Sequence, residues 1–236
     1  TIGEPHTTLA FVKTLYDWDW AGGEAEFKRA IELSPSYSTA HHWYAINLMS
    51  TGRVRDSIAE VERAQALDPL SPIISTDVGE MFYWAGDYER AIEQARQTLE
   101  IHPHYYLAHG LLGWAYAHKG DFGQALAAFR QVPAGMDDHG TRVGIGYVAA
   151  LMNDRAEATR ALDELKDLAT THYVSPHHLA VMYAVLGEQD QAFECLEKAY
   201  ETRVAQLNWL KIDPRFRKLR SDPRFTNLLR RLRLET

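Results

Sequence analysis

Apolar and polar positions along this chain recur on a 34-residue beat, and within each beat they fall at helical spacing. Pro35, Pro69 and Pro103 stand 34 residues apart, as do Gly52, Gly86 and Gly120. With position 1 set at Glu4, units begin at Glu4, Ser38, Pro72 and Tyr106. One residue then drops out, and two more units begin at His139 and Tyr173. Position 8 is small almost throughout (Ala45, Gly79, Gly113, Gly146, Ala180), with Phe11 the exception. Position 20 is Gly23, Ser57, Ala91, Ala125, Ala158 and Ala192. Small side chains at two such points let helix backbones approach closely. Position 24 carries the apolar plug between hairpins: Phe27, Val61, Ala95, Phe129, Leu162, Leu196. Position 15 is Gly52, Gly86, Gly120, Asn153 and Gly187 from the second unit on, residue types that tolerate the positive φ of a tight turn.

Each unit therefore reads as helix, turn, helix. In the third, residues 73–84 are predicted as the first helix, 85–87 as the turn and 88–100 as the second helix. Pro103 then ends that helix, because proline lacks the donor and clashes with the preceding turn. Asp87 and Asp121 follow the turn glycine as N-caps. Repetition at this period predicts a solenoid of stacked helical hairpins, an all-α fold that offers a surface rather than a catalytic pocket.

These positions resemble the tetratricopeptide repeat. Tyr116, Gly120, Asp121, Phe122 and Ala125 match its pattern, as do Phe82, Gly86, Asp87, Tyr88 and Ala91. The resemblance spans about residues 4–206. It is weaker in the first unit, where Tyr16, Asp17, Trp18, Asp19 and Trp20 replace the turn glycine. It is weaker also in the fifth, which lacks the proline and has Asn153 for glycine. It implies a right-handed α-solenoid of about six hairpins over 1–206, and residues 207–236 are expected as a C-terminal helical cap. That tail holds two Asp-Pro-Arg-Phe strings, at Asp213 and Asp222. Asp as N-cap followed by Pro is a helix start, and Phe225, Leu228, Leu229 and Leu232 form an apolar stripe. Two short helices covering the sixth unit are the expectation. The aromatic run at 16–20 together with the Asp-Pro-Arg-Phe strings looks like the C-terminal repeat region of bacterial multidomain signalling proteins, in which the repeats follow an effector module.

In this architecture the first helix of each hairpin lines the concave side. The inward positions include His42, Ile46 and Met49, then Thr76, Asp77, Glu80, Tyr83 and Trp84. They continue with Leu107, Trp114 and His118, then Val143, Tyr147 and Leu151, then His177, His178 and Val181. None of them in any unit is Lys, Arg or Asn, so the charge-assisted donors that seize a peptide's C-terminal carboxylate are missing. The expectation is an aromatic groove with an acidic spot at Asp77 and Glu80, in which Tyr83, Trp84, Trp114 and Tyr147 anchor a peptide or partner helix. Two other readings compete: the aromatics pack against neighbouring helices, or the tail folds back into the groove.

Composition narrows the chemistry. A formal net charge of -7 argues against nucleic acid as the main partner. The tail is the exception: nine basic against three acidic residues give it +6, leaving -13 for the rest. A basic cap on an acidic solenoid explains this more simply than a phosphate-binding patch. Cys195 is the only cysteine, which excludes an intramolecular disulfide, and it reads as a small core residue. No stretch approaches the ~18 apolar residues needed to span a bilayer. The histidine pairs 41–42 and 177–178 are neighbours that cannot share a helix face, and no metal motif appears. Asp137, Asp138 and His139 are read as a helix start rather than a ligand cluster. Trp18 and Trp20 are expected to fill the gap left by the missing glycine. The chain begins at Thr1 with a repeat only a few residues on, and reads as part of a longer cytoplasmic protein. The sequence thus predicts a non-catalytic interaction scaffold without cofactor or metal, binding protein or peptide. The alternatives are a small-ligand sensor or enzyme with its site in the groove, and a self-association module.

Overall fold

The computed structural model describes residues 2–235, with Asp138 described by its backbone alone; Thr1 and Thr236 lie outside the described residues. The helices are α1 (Glu4–Leu15), α2 (Trp20–Leu33), α3 (Ser38–Ser50), α4 (Val54–Leu67), α5 (Pro72–Ala85) and α6 (Tyr88–Ile101). They continue as α7 (Tyr106–Lys119), α8 (Phe122–Arg130), α9 (Asp138–Leu151), α10 (Arg155–Leu168), α11 (Pro176–Leu186) and α12 (Gln189–Glu201). Two 3-10 segments, Ala205–Trp209 and Pro214–Leu219, then precede α13 (Pro223–Arg231). Among the described residues there is no strand. Successive helices pair as antiparallel hairpins, and the odd-numbered helices α1 to α11 touch one another along one wall, giving an α-solenoid.

The small positions set the spacing. A Cβ built on Gly79 would come within 2.7 Å of the Leu111 side chain, and one on Gly113 or Gly144 would meet the Phe129 ring at 2.5 or 2.4 Å. The plug ring thus fills the space that these two glycines leave, at the density a protein interior requires. Ser57, where alanine stands in most units, instead donates its hydroxyl to the Ala45 carbonyl at 2.7 Å. Gly86 and Gly120 have φ of +81° and +89°, and their N–H groups bond back to the last turn of α5 and α7. Asp87, Asp121 and Asp154 then cap α6, α8 and α10 through their side chains. Helix α8 is short and ends at Arg130, ahead of Pro133, where the beat loses its residue.

The first hairpin departs from the rest in an informative way. Trp18 takes the left-handed turn position itself, at φ +50°, and Asp19 caps α2 by accepting from Gly22 N–H. Its indole stacks on Tyr200 at 4.8 Å, with the Arg203 guanidinium 5.1 Å from the ring. Trp20 Nε1 donates to the Leu232 carbonyl at 2.8 Å, and Arg203 Nη1 donates to the Tyr16 carbonyl. The two tryptophans do more than fill a gap: they join the first hairpin to the last, so the solenoid closes on itself. Trp20→Phe removes the donor and leaves a buried carbonyl unpaired. It is expected to cost about 1–3 kcal/mol and to make the C-terminus more protease-sensitive, measurable by denaturant unfolding and limited proteolysis.

The tail divides: α13 lies against α12 as a cap. The first Asp-Pro-Arg-Phe string starts a 3-10 segment, and this segment runs along α11 inside the ring while Ala205–Trp209 approaches α3. Leu207, Leu210, Phe216 and Leu219 are fully buried there. Burial of this apolar surface on the concave side is the force that holds the tail in.

Candidate functional site

The concave wall is built from the inward side chains of α5, α7, α9 and α11. Tyr83 and Trp84 meet edge to face at 4.7 Å, Trp114 meets Tyr147 at 5.3 Å, and His118 bridges the two pairs at 5.6 Å from Tyr83 and 5.7 Å from Tyr147. Into this aromatic cradle the tail inserts Trp209, which stacks on Trp84 with ring centroids 5.4 Å apart and planes within 12°. Arg215 follows, its guanidinium 4.8 Å from the Trp114 ring and 5.8 Å from that of Trp84. A desolvated guanidinium over indole faces is the strong form of the cation–π contact.

Arg215 is held by Asp213, which is fully buried. Oδ1 accepts from Arg215 N–H at 2.9 Å and from Nε at 2.8 Å, and Oδ2 accepts from Nη2 at 2.6 Å. Burial works to raise the Asp213 carboxyl, but the Arg215 charge prevails and holds it well below the usual carboxylate range. His177 Nε2 lies 3.6 Å from Oδ2, beyond hydrogen-bond reach, and burial depresses the ring. Its ring meets Phe216 in a T-shaped contact at 5.4 Å. Burial also holds His118 down at about 4, with the Arg215 charge adding to it, and His178 at about 3, with His177 adding. Glu80 moves the other way: burial and the Asp77 carboxylate lift it well above the carboxylate range.

The residues expected to form a groove therefore divide. Glu80, Tyr83, Trp84, Trp114, His118 and Tyr147 come together around the tail. Met49, Thr76 and Val181 are closed off completely beneath the surface, the Thr76 hydroxyl bonding back to the Pro72 carbonyl. His42 is buried and shares a 2.5 Å hydrogen bond with Asp77, joining α3 to α5, and Ile46 packs against the core. His41 faces away from it toward Glu60, at 2.6 Å. The sequence reading missed Trp209, Asp213, Arg215 and Phe216 as groove residues. The signal was present in the repeated Asp-Pro-Arg-Phe string. The second copy folds alike: Asp222 accepts from Arg224 N–H at 2.8 Å and from Nη2 at 2.8 Å, and Arg224 lies 4.1 Å from the Phe193 ring.

The remaining candidates are quickly placed. Among the described residues no three His, Cys, Asp or Glu side chains converge as metal ligands. Asp137 caps α9, accepting from Gly140 N–H, and the Asp138 side chain lies outside the described residues. Cys195 is partly buried, which pushes its thiol up to about 11, far from a reactive thiolate. Several tail cations pair within the chain: Arg224 with Asp190 and Arg231 with Glu197. Among the described residues no helix is long and apolar enough to cross a membrane.

Comparison with known proteins agrees with this architecture. The tetratricopeptide repeat family matches at residues 79–139. A comparison with curated proteins returns no match. Among solved structures, PilW, a widely conserved type IV pilus biogenesis factor, superposes with a TM-score of 0.64 at 16% identity, covering 93% of this chain and 98% of that one. The pilF protein of Pseudomonas aeruginosa gives 0.60 at 15% identity, with 89% and 95% covered. A thermophilic tetratricopeptide-repeat protein of Thermus thermophilus gives 0.59 at 18% identity, with 86% and 98% covered. Likeness at such identities is one of fold. Hairpins with small residues at the close approaches, left-handed glycines in the turns and these matches lead to one conclusion: residues 79–139 match the tetratricopeptide-repeat family, and the chain as a whole has the α-solenoid fold of its solved neighbours.

Proposed function

We propose that this chain is a non-catalytic scaffold whose aromatic groove receives a peptide or partner helix in exchange for its own tail. The supporting observation is the occupant. Residues 205–219 already lie in the groove as a peptide segment, with Trp209 on Trp84 and Arg215 across Trp114. The wall supplies rings, and the bound segment supplies the cation together with its own carboxylate, Asp213. A partner suited to this groove carries an aromatic residue followed a few positions later by arginine. Placement within a bacterial regulator rests on the resemblance of the 16–20 run and the tail strings, and the solved neighbours add nothing to it beyond fold.

The tethered tail competes at a local concentration on the order of mM, so a free peptide binds measurably only where docking is weakened. A labelled peptide of residues 205–219 is expected to bind the full chain at least about tenfold more tightly when Asp213→Ala loosens the tail. Trp84→Ala with Trp114→Ala should abolish that gain. Fluorescence anisotropy reads both. Equal, negligible binding to the wild type and to the Asp213 variant would remove exchange as the mechanism.

A further inference from the structure

The docked tail leaves two cavities, one on each side of Arg215. The smaller, about 210 Å³, is bordered by Glu80 and Asp137 among aromatic rings. The larger, about 430 Å³, has the opposite character: Tyr88, His118 and Tyr147 face Arg215, Arg217 and Lys218, and no carboxylate lines it. Arg217 and Lys218 are exposed and form no ion pair among the described residues. Arg215 commits Nε and Nη2 to Asp213, and its Nη1 makes no hydrogen bond. His118 Nε2 is buried without a partner.

Backbone does not satisfy these cations. The last-turn carbonyls of α7 already accept from Gly120 and Asp121 N–H, and those of α11 from Gly187 and Glu188 N–H. Three cationic side chains thus border a space that no carboxylate lines. Beside them stands a flat wall, Tyr88 stacked on His118 at 5.6 Å with planes within 21°. The volume lies in the range of small-molecule sites, and an arginine fork matches the oxygens of a carboxylate or phosphate.

We propose that this cavity binds a small organic anion, a carboxylate or phosphate carried on a flat ring, with its charge on Arg217, Lys218 and Arg215 Nη1 and its ring along the Tyr88–His118 wall. The cations come from the tail and the rings from the solenoid, so the site exists only while the tail is docked. Such a ligand binds the docked state alone and stabilises it by mass action. By linkage it opposes any partner that takes the tail's place.

The test uses the full chain at low salt with phenyl phosphate, phenylacetate and the neutral benzyl alcohol, read by tryptophan fluorescence and thermal unfolding. At least one anion is expected to bind saturably, raise Tm and weaken with added salt, while benzyl alcohol does neither. Whichever anion binds more tightly names the head group. Arg217→Gln with Lys218→Gln, both on exposed positions, should weaken that anion about tenfold or more and leave the ligand-free Tm unchanged. Binding of neither anion above benzyl alcohol overturns the proposal, as does undiminished binding to the double variant.

Discussion

Asp213→Ala is expected to destabilise the folded chain by about 3–5 kcal/mol and to free the tail from the groove, because it strands a guanidinium in a buried aromatic site. The wild-type carboxylate has its side chain entirely excluded from solvent, and that of Arg215 is 11% exposed. The carboxylate has no water to fall back on, and the guanidinium has little. Removing both should be far milder: Asp213→Ala with Arg215→Met takes away the unpaired charge and keeps an apolar stem between the indoles. Urea unfolding of the two singles and the double gives the coupling directly. A cost below about 1 kcal/mol for Asp213→Ala would mean that the pair does not hold the tail. The same variant should lose the Trp84–Trp209 stack, visible as a changed indole emission, and should open residues 203–213 to protease.

Acidification is the second large effect. His118, His177 and His178 are all depressed in the folded chain, where burial is the leading cause. An unfolded histidine takes up a proton near pH 6.5. Groups of this kind contribute stability above that pH and lose it as pH falls toward their folded values. Glu80 has the opposite sign, since its raised folded value lets it hold a proton that the unfolded carboxylate releases. It therefore offsets one of the three between about pH 6.5 and 4.5. His118 and His178 then leave about one proton, to which the depressed His177 adds in the same direction, so stability should fall by at least about 1.4 kcal/mol per pH unit across that window. Chemical unfolding at pH 7, 6 and 5 measures the slope, and His178→Gln should reduce it. The Asp213–Arg215 pair adds nothing within this window: its carboxyl is depressed, so its contribution stays complete until pH falls below the ordinary carboxylate range. A flat profile from pH 7 to 5 would show that these rings reach water in the folded state.

Both effects arise at the tail, where the reading from sequence was least complete. The repeat itself was legible because each of its signals is local or periodic. Gly86 and Gly120 mark turns for want of a Cβ, Asp87 and Asp121 cap within three residues, and the plug positions recur with the hairpin. Even the slip of one residue before Pro133 shows in the short α8. The wall of the groove could be named for the same reason, since helical period fixes which side chains face inward. Which of those side chains stay open and which are covered depends on chain about a hundred positions away, and periodicity carries no information about that.

The two Asp-Pro-Arg-Phe strings separate the two kinds of determination. Sequence alone decides the local unit: aspartate caps, arginine two residues on folds back to it, and phenylalanine turns inward at Phe216 and Phe225 alike. Tertiary structure decides what each unit does. One string is carried into the ring, where Asp213 is dehydrated and its arginine lies between indoles. The other stays outside on α12, where the Asp222 side chain keeps 20% of its exposure. The cause is closure by Trp18 and Trp20 against Tyr200 and Leu232. Closure brings the ends of the solenoid together, so that Leu207, Leu210, Phe216 and Leu219 escape water in the groove while Phe225 and Leu228 do so on α12.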